Sequence, residues 1–227
     1  MLFPRIQLRS CLEPGRKILY HNKNKFWKGT PSRGGRQAQK QSLQTGRGEL
    51  NEPEGKKIIS LFASIACMLP LYILLHEGGH TLIAVLCGAQ ITEFSILGAY
   101  MLYDGGIFTA ATLSLFHAAG MLLPLCILIV YMLAYQRKRK GIFYRIFSFM
   151  FLLITAAPTL AWVIVPVLYL FDQAPQGDDV TKFINSSGLS PWAVLLGAMA
   201  LLFLCFTLAW KKKIIQNYWA AVTLDAA

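Results

Sequence analysis

Four apolar runs, each long enough to cross a bilayer, constrain this chain more than anything else in it. They cover Ile58 to about Cys87, about Ala110 to Tyr135, Ile142 to Phe171 and Trp192 to Trp210. At about 1.5 Å of rise per residue, roughly 20 apolar residues cross the ~30 Å of hydrocarbon. Lipid offers no partner to a backbone N–H or C=O, so each run must close its own hydrogen bonds as a helix. Pro158 and Pro166 interrupt the third run, which is either one helix or two half-helices broken near Pro158. The expected fold class is an all-α membrane protein with about four transmembrane helices. Between the first two runs, Ile91–Phe108 is too short and too broken to cross. Its β-branched and aromatic residues around Asp104–Gly105 predict a small interfacial β-hairpin that turns at that dipeptide.

Charge is distributed unevenly. Residues 1–57 hold 13 of the 22 Lys/Arg and 4 of the 11 acids, so most of the net +11 lies ahead of the first run. That segment is rich in Gly, Gln, Ser, Arg and Lys and has no sustained apolar period, which reads as a basic, disordered or weakly structured tail. Three units follow: the tail (1–57), a transmembrane domain (58–215) and a short C-terminal tail (216–227). The start lacks the apolar core of a secretory signal. Its Arg content with few acids fits an organelle transit peptide or an over-extended reading frame. A basic tail beside a membrane accounts for the charge through anionic headgroups, so no nucleic-acid partner is expected. The five cysteines (Cys11, Cys67, Cys87, Cys126 and Cys205) are scattered without paired spacing, which supports neither a disulfide framework nor a thiolate metal site.

Basic clusters stand at Lys56–Lys57, Gln136–Lys140 and Lys211–Lys213, whereas the other two connections carry only Lys182. Positive residues stay cytoplasmic, which puts both termini inside and Ile91–Phe108 and Gln176–Ser190 outside. The expected setting is a multi-pass protein of a bacterial plasma membrane.

Ionisable side chains are costly inside an apolar run, yet the first run contains His76-Glu77-Gly78-Gly79-His80. Positions i and i+4 share a helix face, so both imidazoles can reach one Zn²⁺ in this H-E-x-x-H pattern. Glu77 is then placed to accept a proton from zinc-bound water. A metal gives all three groups a partner. Gly78 and Gly79 run against helix propensity. Their return is space, either for a neighbouring helix or for an extended substrate.

The stretch "LLHEGGHTLIAVLCGA" resembles the zinc-site helix of the site-2 protease family of intramembrane zinc metalloproteases. "FHAAGMLLPL" (Phe116–Leu125) is similar to the small-residue stretch that opens a following span there. The resemblance loosely covers Ile58 to about Lys213. The chain departs from the pattern at Met121, where the family often has proline, and in lacking the Asn-x-x-Pro stretch ahead of the third ligand. The resemblance also implies a zinc nearer the cytoplasmic face, whereas the Lys/Arg distribution puts it outside.

A catalytic zinc needs a third protein ligand and an open position. The candidates are Asp178, Asp179, Asp104, Glu93 and His117. His76 lies about 18 residues into its run, ~27 Å from the cytoplasmic end. The third run ends on the same far side, which brings Asp178 and Asp179 there. In the resemblance the aspartate follows a later span, and Asp179-Val180-Thr181-Lys182-Phe183-Ile184 fits the family's Asp-Gly-Gly-Arg-Ile-Leu shape. Asp179 is the expected third ligand, with Asp178 second. Asp104 is expected to start the hairpin turn, Glu93 to be a solvated hairpin residue and His117 to be a satisfied interhelical donor.

The expected function is zinc-dependent hydrolysis of a peptide bond in a membrane-anchored protein substrate, one Zn²⁺ per chain, with Glu77 as base. The hairpin would hold the unwound substrate as an added strand, as the resemblance also implies. The alternative is a non-enzymatic polytopic protein, an ion-binding carrier or assembly factor. A second is an embedded zinc peptidase acting on soluble or lipidated peptides.

Overall fold

The computed structural model describes residues 54–223. Apart from residues 54–57, the basic tail lies outside the described residues. The described chain is mostly helical, with one two-stranded antiparallel sheet. Helix α1 is Glu54–Leu86, followed by strands β1 (Ala89–Ser95) and β2 (Tyr100–Gly105) and helix α2 (Ala110–Ala134). Helix α3 (Ile142–Ala156) runs through a 3-10 turn at Ala157–Leu160 into α4 (Ala161–Leu170). Helices α5 (Asp179–Ser187), α6 (Pro191–Lys211) and α7 (Ile214–Thr223) complete it.

Four stretches are long and apolar enough to cross a membrane: α1, α2, the α3–α4 rod and α6. Their ends fall within a residue of the apolar runs, except that α1 starts at Glu54 and takes in residues 54–57. Their outward faces are apolar too. Ile59 is 70% exposed, Leu86 73%, Val130 66% and Phe203 75%, from three different spans. Water would not tolerate such a belt on an isolated chain, and a bilayer would. The pattern fits a multi-pass membrane protein.

Pro158 does not split the third span. The residues on both sides of it hold αR backbone angles, so one turn tightens to 3-10 and the rod continues. Tightening an i+4 ladder to i+3 is the small adjustment that a missing N–H requires.

The core lies between α1, α2, α3 and α6, around Met68, Leu128, Met132, Leu152 and Cys205, none more than 1% exposed. On α1 the face that meets its neighbours carries Ser60 and Ser64, and the Ser64 hydroxyl donates to the Ser60 carbonyl at 2.6 Å. Small residues let helix backbones approach, and that internal bond satisfies the hydroxyl.

The three basic clusters meet at one end of the bundle. Lys57 Nζ donates to the Val222 carbonyl at 3.2 Å, and Asn217 Nδ2 to the Arg137 carbonyl at 3.2 Å. Lys212 Nζ donates to the Leu133 carbonyl. Residues 214–223, mostly within the span assigned to a C-terminal tail, form α7, whose Tyr218 stacks on Phe149 with ring centroids 4.0 Å apart.

The hairpin exists, but its turn is not at Asp104–Gly105. The strands reverse at Ile96–Ala99, where Ala99 takes a φ of 51° and the Gly98 N–H donates to Ser95 Oγ at 2.9 Å. Asp104 pairs with Gln90 and Gly105 with Ala89, at the base of the hairpin. Gly105 and Gly106 have φ of 73° and 85° and do turn the chain, but out of β2 towards α2. The Ile107 N–H closes that exit on the Cys87 carbonyl at 2.9 Å. An Asp-Gly pair signals a turn, and here two turns competed for it. A bulge between Ile91 and Glu93 adds local twist to β1.

Candidate metal centre

The site forms where α1, α2 and α5 converge beneath β2. His76 and His80 lie one helical turn apart on α1, with their Nε2 atoms 3.4 Å apart. Asp179 Oδ2 stands 3.2 Å from His80 Nε2 and 3.5 Å from His76 Nε2. One donor atom from each of the three lies within 4.8 Å of the others, close enough to surround a single metal ion. Two imidazoles and a carboxylate are donors that Zn²⁺ accepts, with a fourth position left open. The three residues line a cavity of about 860 Å³ together with Glu77, Tyr100, His117 and Lys182.

The side chain of Asp179 is brought there by its neighbour. Asp178 is the N-cap of α5: its Oδ1 accepts from the N–H groups of Val180 (2.8 Å) and Thr181 (3.0 Å), and its Oδ2 accepts from Thr181 Oγ1 at 2.7 Å. Capping consumes the Asp178 carboxylate and puts Asp179 in the first turn, facing α1. Buried Val180, Thr181 and Ile184 seat α5 against the bundle. Burial pushes the Asp179 carboxyl up, but the imidazoles that face it, His117 first and then His76 and His80, outweigh it and hold it below the usual carboxylate range. That direction favours the carboxylate form that a metal ligand needs.

Second partners orient the histidines. His80 Nδ1 lies 2.7 Å from the Phe116 carbonyl of α2; a carbonyl only accepts, so Nδ1 carries the proton and the Nε2 lone pair points at the site. His76 Nδ1 lies 3.4 Å from the Tyr72 hydroxyl. Glu77 is 7% exposed and lines the cavity beside both.

The two glycines between them differ. A Cβ at Gly79 would collide with the Ala119 carbonyl of α2, so Gly79 serves the helix crossing. A Cβ at Gly78 would meet nothing within 4 Å. Across the crossing, a Cβ at Gly120 would collide with both imidazoles.

The remaining candidates separate plainly. Asp104 sits at the hairpin base and does not line the cavity. Glu93 is exposed on β1 and accepts from the Tyr100 hydroxyl. His117, expected to be a satisfied donor, is not one: its Nδ1 is buried with no hydrogen-bond partner and faces Asp179 Oδ1 at 3.9 Å. Its one sequence signal was a lone imidazole in an apolar span; its orientation became visible only once α5 was in place. Comparisons with family models, with curated proteins and with solved structures give no match.

Proposed function

We propose that this chain is a zinc-dependent intramembrane peptidase, a metalloendopeptidase acting on membrane-anchored protein substrates. The observation that carries the reading is the convergence of His76, His80 and Asp179 at the edge of a cavity that also holds Glu77, in a bundle with four membrane-length apolar helices. Among the described residues this is the one cluster of metal-ligating side chains.

His76, His80 and Asp179, which line the cavity, would hold the ion. When bound, zinc supplies a water of lowered pKa and polarises a substrate carbonyl. Glu77, adjacent to His76 yet outside the ligand set, would serve as the base that accepts a proton from the attacking water and as the acid that returns it to the leaving amine. A helical substrate has its peptide groups tied up internally, so the cleaved segment must unwind. Tyr100, Met101 and Tyr103 of β2 border the cavity, and an extended segment added along that hairpin would lie across the site.

Metal analysis of the full chain purified in detergent is the direct test. About one zinc per chain is expected. Glu77→Gln should keep that zinc and lose cleavage of a membrane-anchored reporter. A wild-type protein that takes up no zinc when supplied with it would sink the reading. Zinc-dependent ion flux without cleavage would favour the carrier.

A further inference from the structure

Each prospective ligand uses one atom towards the others and has another polar atom left over. For His76 that atom is Nδ1, met by the Tyr72 hydroxyl at 3.4 Å. For His80 it is Nδ1, met by the Phe116 carbonyl at 2.7 Å. For Asp179 it is Oδ1, and the group that faces it is His117 Nδ1 at 3.9 Å.

His117 is one residue along α2 from the carbonyl that orients His80 and three before the glycine that makes room for the imidazoles. Its side chain is 12% exposed, and its Nδ1 is buried with no hydrogen-bond partner. Buried donors without acceptors are rare and costly, and the structure places the acceptor Asp179 Oδ1 opposite this nitrogen. The separation is about an ångström beyond hydrogen-bond length, a gap that a small rotation of either side chain closes.

We propose that His117 is the positioning residue for the Asp179 carboxylate: its Nδ1–H donates to Oδ1 and turns Oδ2 towards His76 and His80. The inference rests on the metal reading above. It adds a requirement that ligand identity alone does not impose, because α5 is a nine-residue helix between two loops and Asp179 reaches the site from its first turn. Outer partners of metal ligands typically contribute 10–100-fold to affinity.

The test compares three variants of the full chain in detergent, using zinc competition against a chromophoric chelator and the visible spectrum of the Co²⁺-loaded protein. His117→Leu removes the donor. His117→Asn keeps a donor where Nδ1 stands, whereas His117→Gln carries its amide nitrogen out to the position of Nε2. The expected result is a 10–100-fold loss of zinc affinity and an altered Co²⁺ spectrum for Leu and Gln, with Asn within about threefold of wild type. Wild-type affinity and spectrum in His117→Leu would overturn the proposal. Should that variant not fold, equal affinities for Asn and Gln would overturn it as well. A wild-type chain that binds no zinc removes the metal reading itself, a result seen before any variant is compared.

Discussion

Asp178 and Asp179 are adjacent, and their carboxylates do different work: Asp178 caps α5 through the N–H groups of Val180 and Thr181, while Asp179 stands 3.2 Å from His80 Nε2. Asp179→Ala should therefore lose the metal and any activity that depends on it, with little change in folding. Asp178→Ala should keep most of the zinc and lower stability by about 1 kcal/mol, the usual cost of an N-cap. Metal content and thermal unfolding, read on both variants, check the contrast. Equal zinc loss in the two would mean that the cap and the ligand cannot be separated.

Gly120 has no room for a side chain because the imidazoles of His76 and His80 fill the space above it. Gly120→Ala should push both histidines out of register and reduce zinc binding at least tenfold, although alanine is the better helix former. The measurement is metal affinity, together with circular dichroism to show that the helices persist. Retention of wild-type affinity would place the imidazoles farther from α2 than described.

The adjacent glycines of α1 should respond in opposite directions. Gly78→Ala meets open space and should stabilise the helix by up to about 1 kcal/mol while keeping zinc. Gly79→Ala drives a methyl into the Ala119 carbonyl and should destabilise by about 1–3 kcal/mol. Unfolding midpoints in one detergent decide it. Should Gly78→Ala abolish cleavage while leaving zinc in place, the open space beside it belongs to the substrate.

Orientation is testable because the basic clusters gather at one end of the bundle, while the connection before α5 leaves from the other end of the α3–α4 rod. In a cysteine-free background, Gly141→Cys should react with a membrane-impermeant thiol reagent only after permeabilisation, and Gly177→Cys should react in intact cells. Both positions are exposed. The reverse pattern would turn the protein over and put the site on the cytoplasmic side.

Much of this was legible in the residues, for identifiable reasons. The spans could be read because hydrocarbon demands long apolar runs, and that demand leaves a periodicity-independent mark. His76 and His80 could be paired because both sit on one helix, where spacing fixes geometry. Asp179 could be reached by following which side each span ends on, but separating it from Asp178 needed the capping geometry. The hairpin turn was misplaced because Asp104–Gly105 carries the stronger local signal, whereas Ile96–Ala99 turns on Gly98 and a left-handed alanine. His117 was underrated because its significance depends on a carboxylate far along the chain. No local pattern records that.

The four candidate spans also differ in length, with 33, 25, 29 and 21 residues. At about 1.5 Å per residue, α1 is roughly 50 Å long and α6 roughly 32 Å. Only the latter matches a ~30 Å hydrocarbon slab. The longer rods must lean or emerge into the headgroups, and the lean changes with the lipid around them. α1 meets α2 backbone to backbone at Gly79, and both imidazoles stand on α1 at that crossing. Asp179 rides on a helix outside the spans. Bilayer thickness thus bears on a site whose two imidazoles stand on a membrane-length rod and whose carboxylate stands on a short helix seated against the bundle.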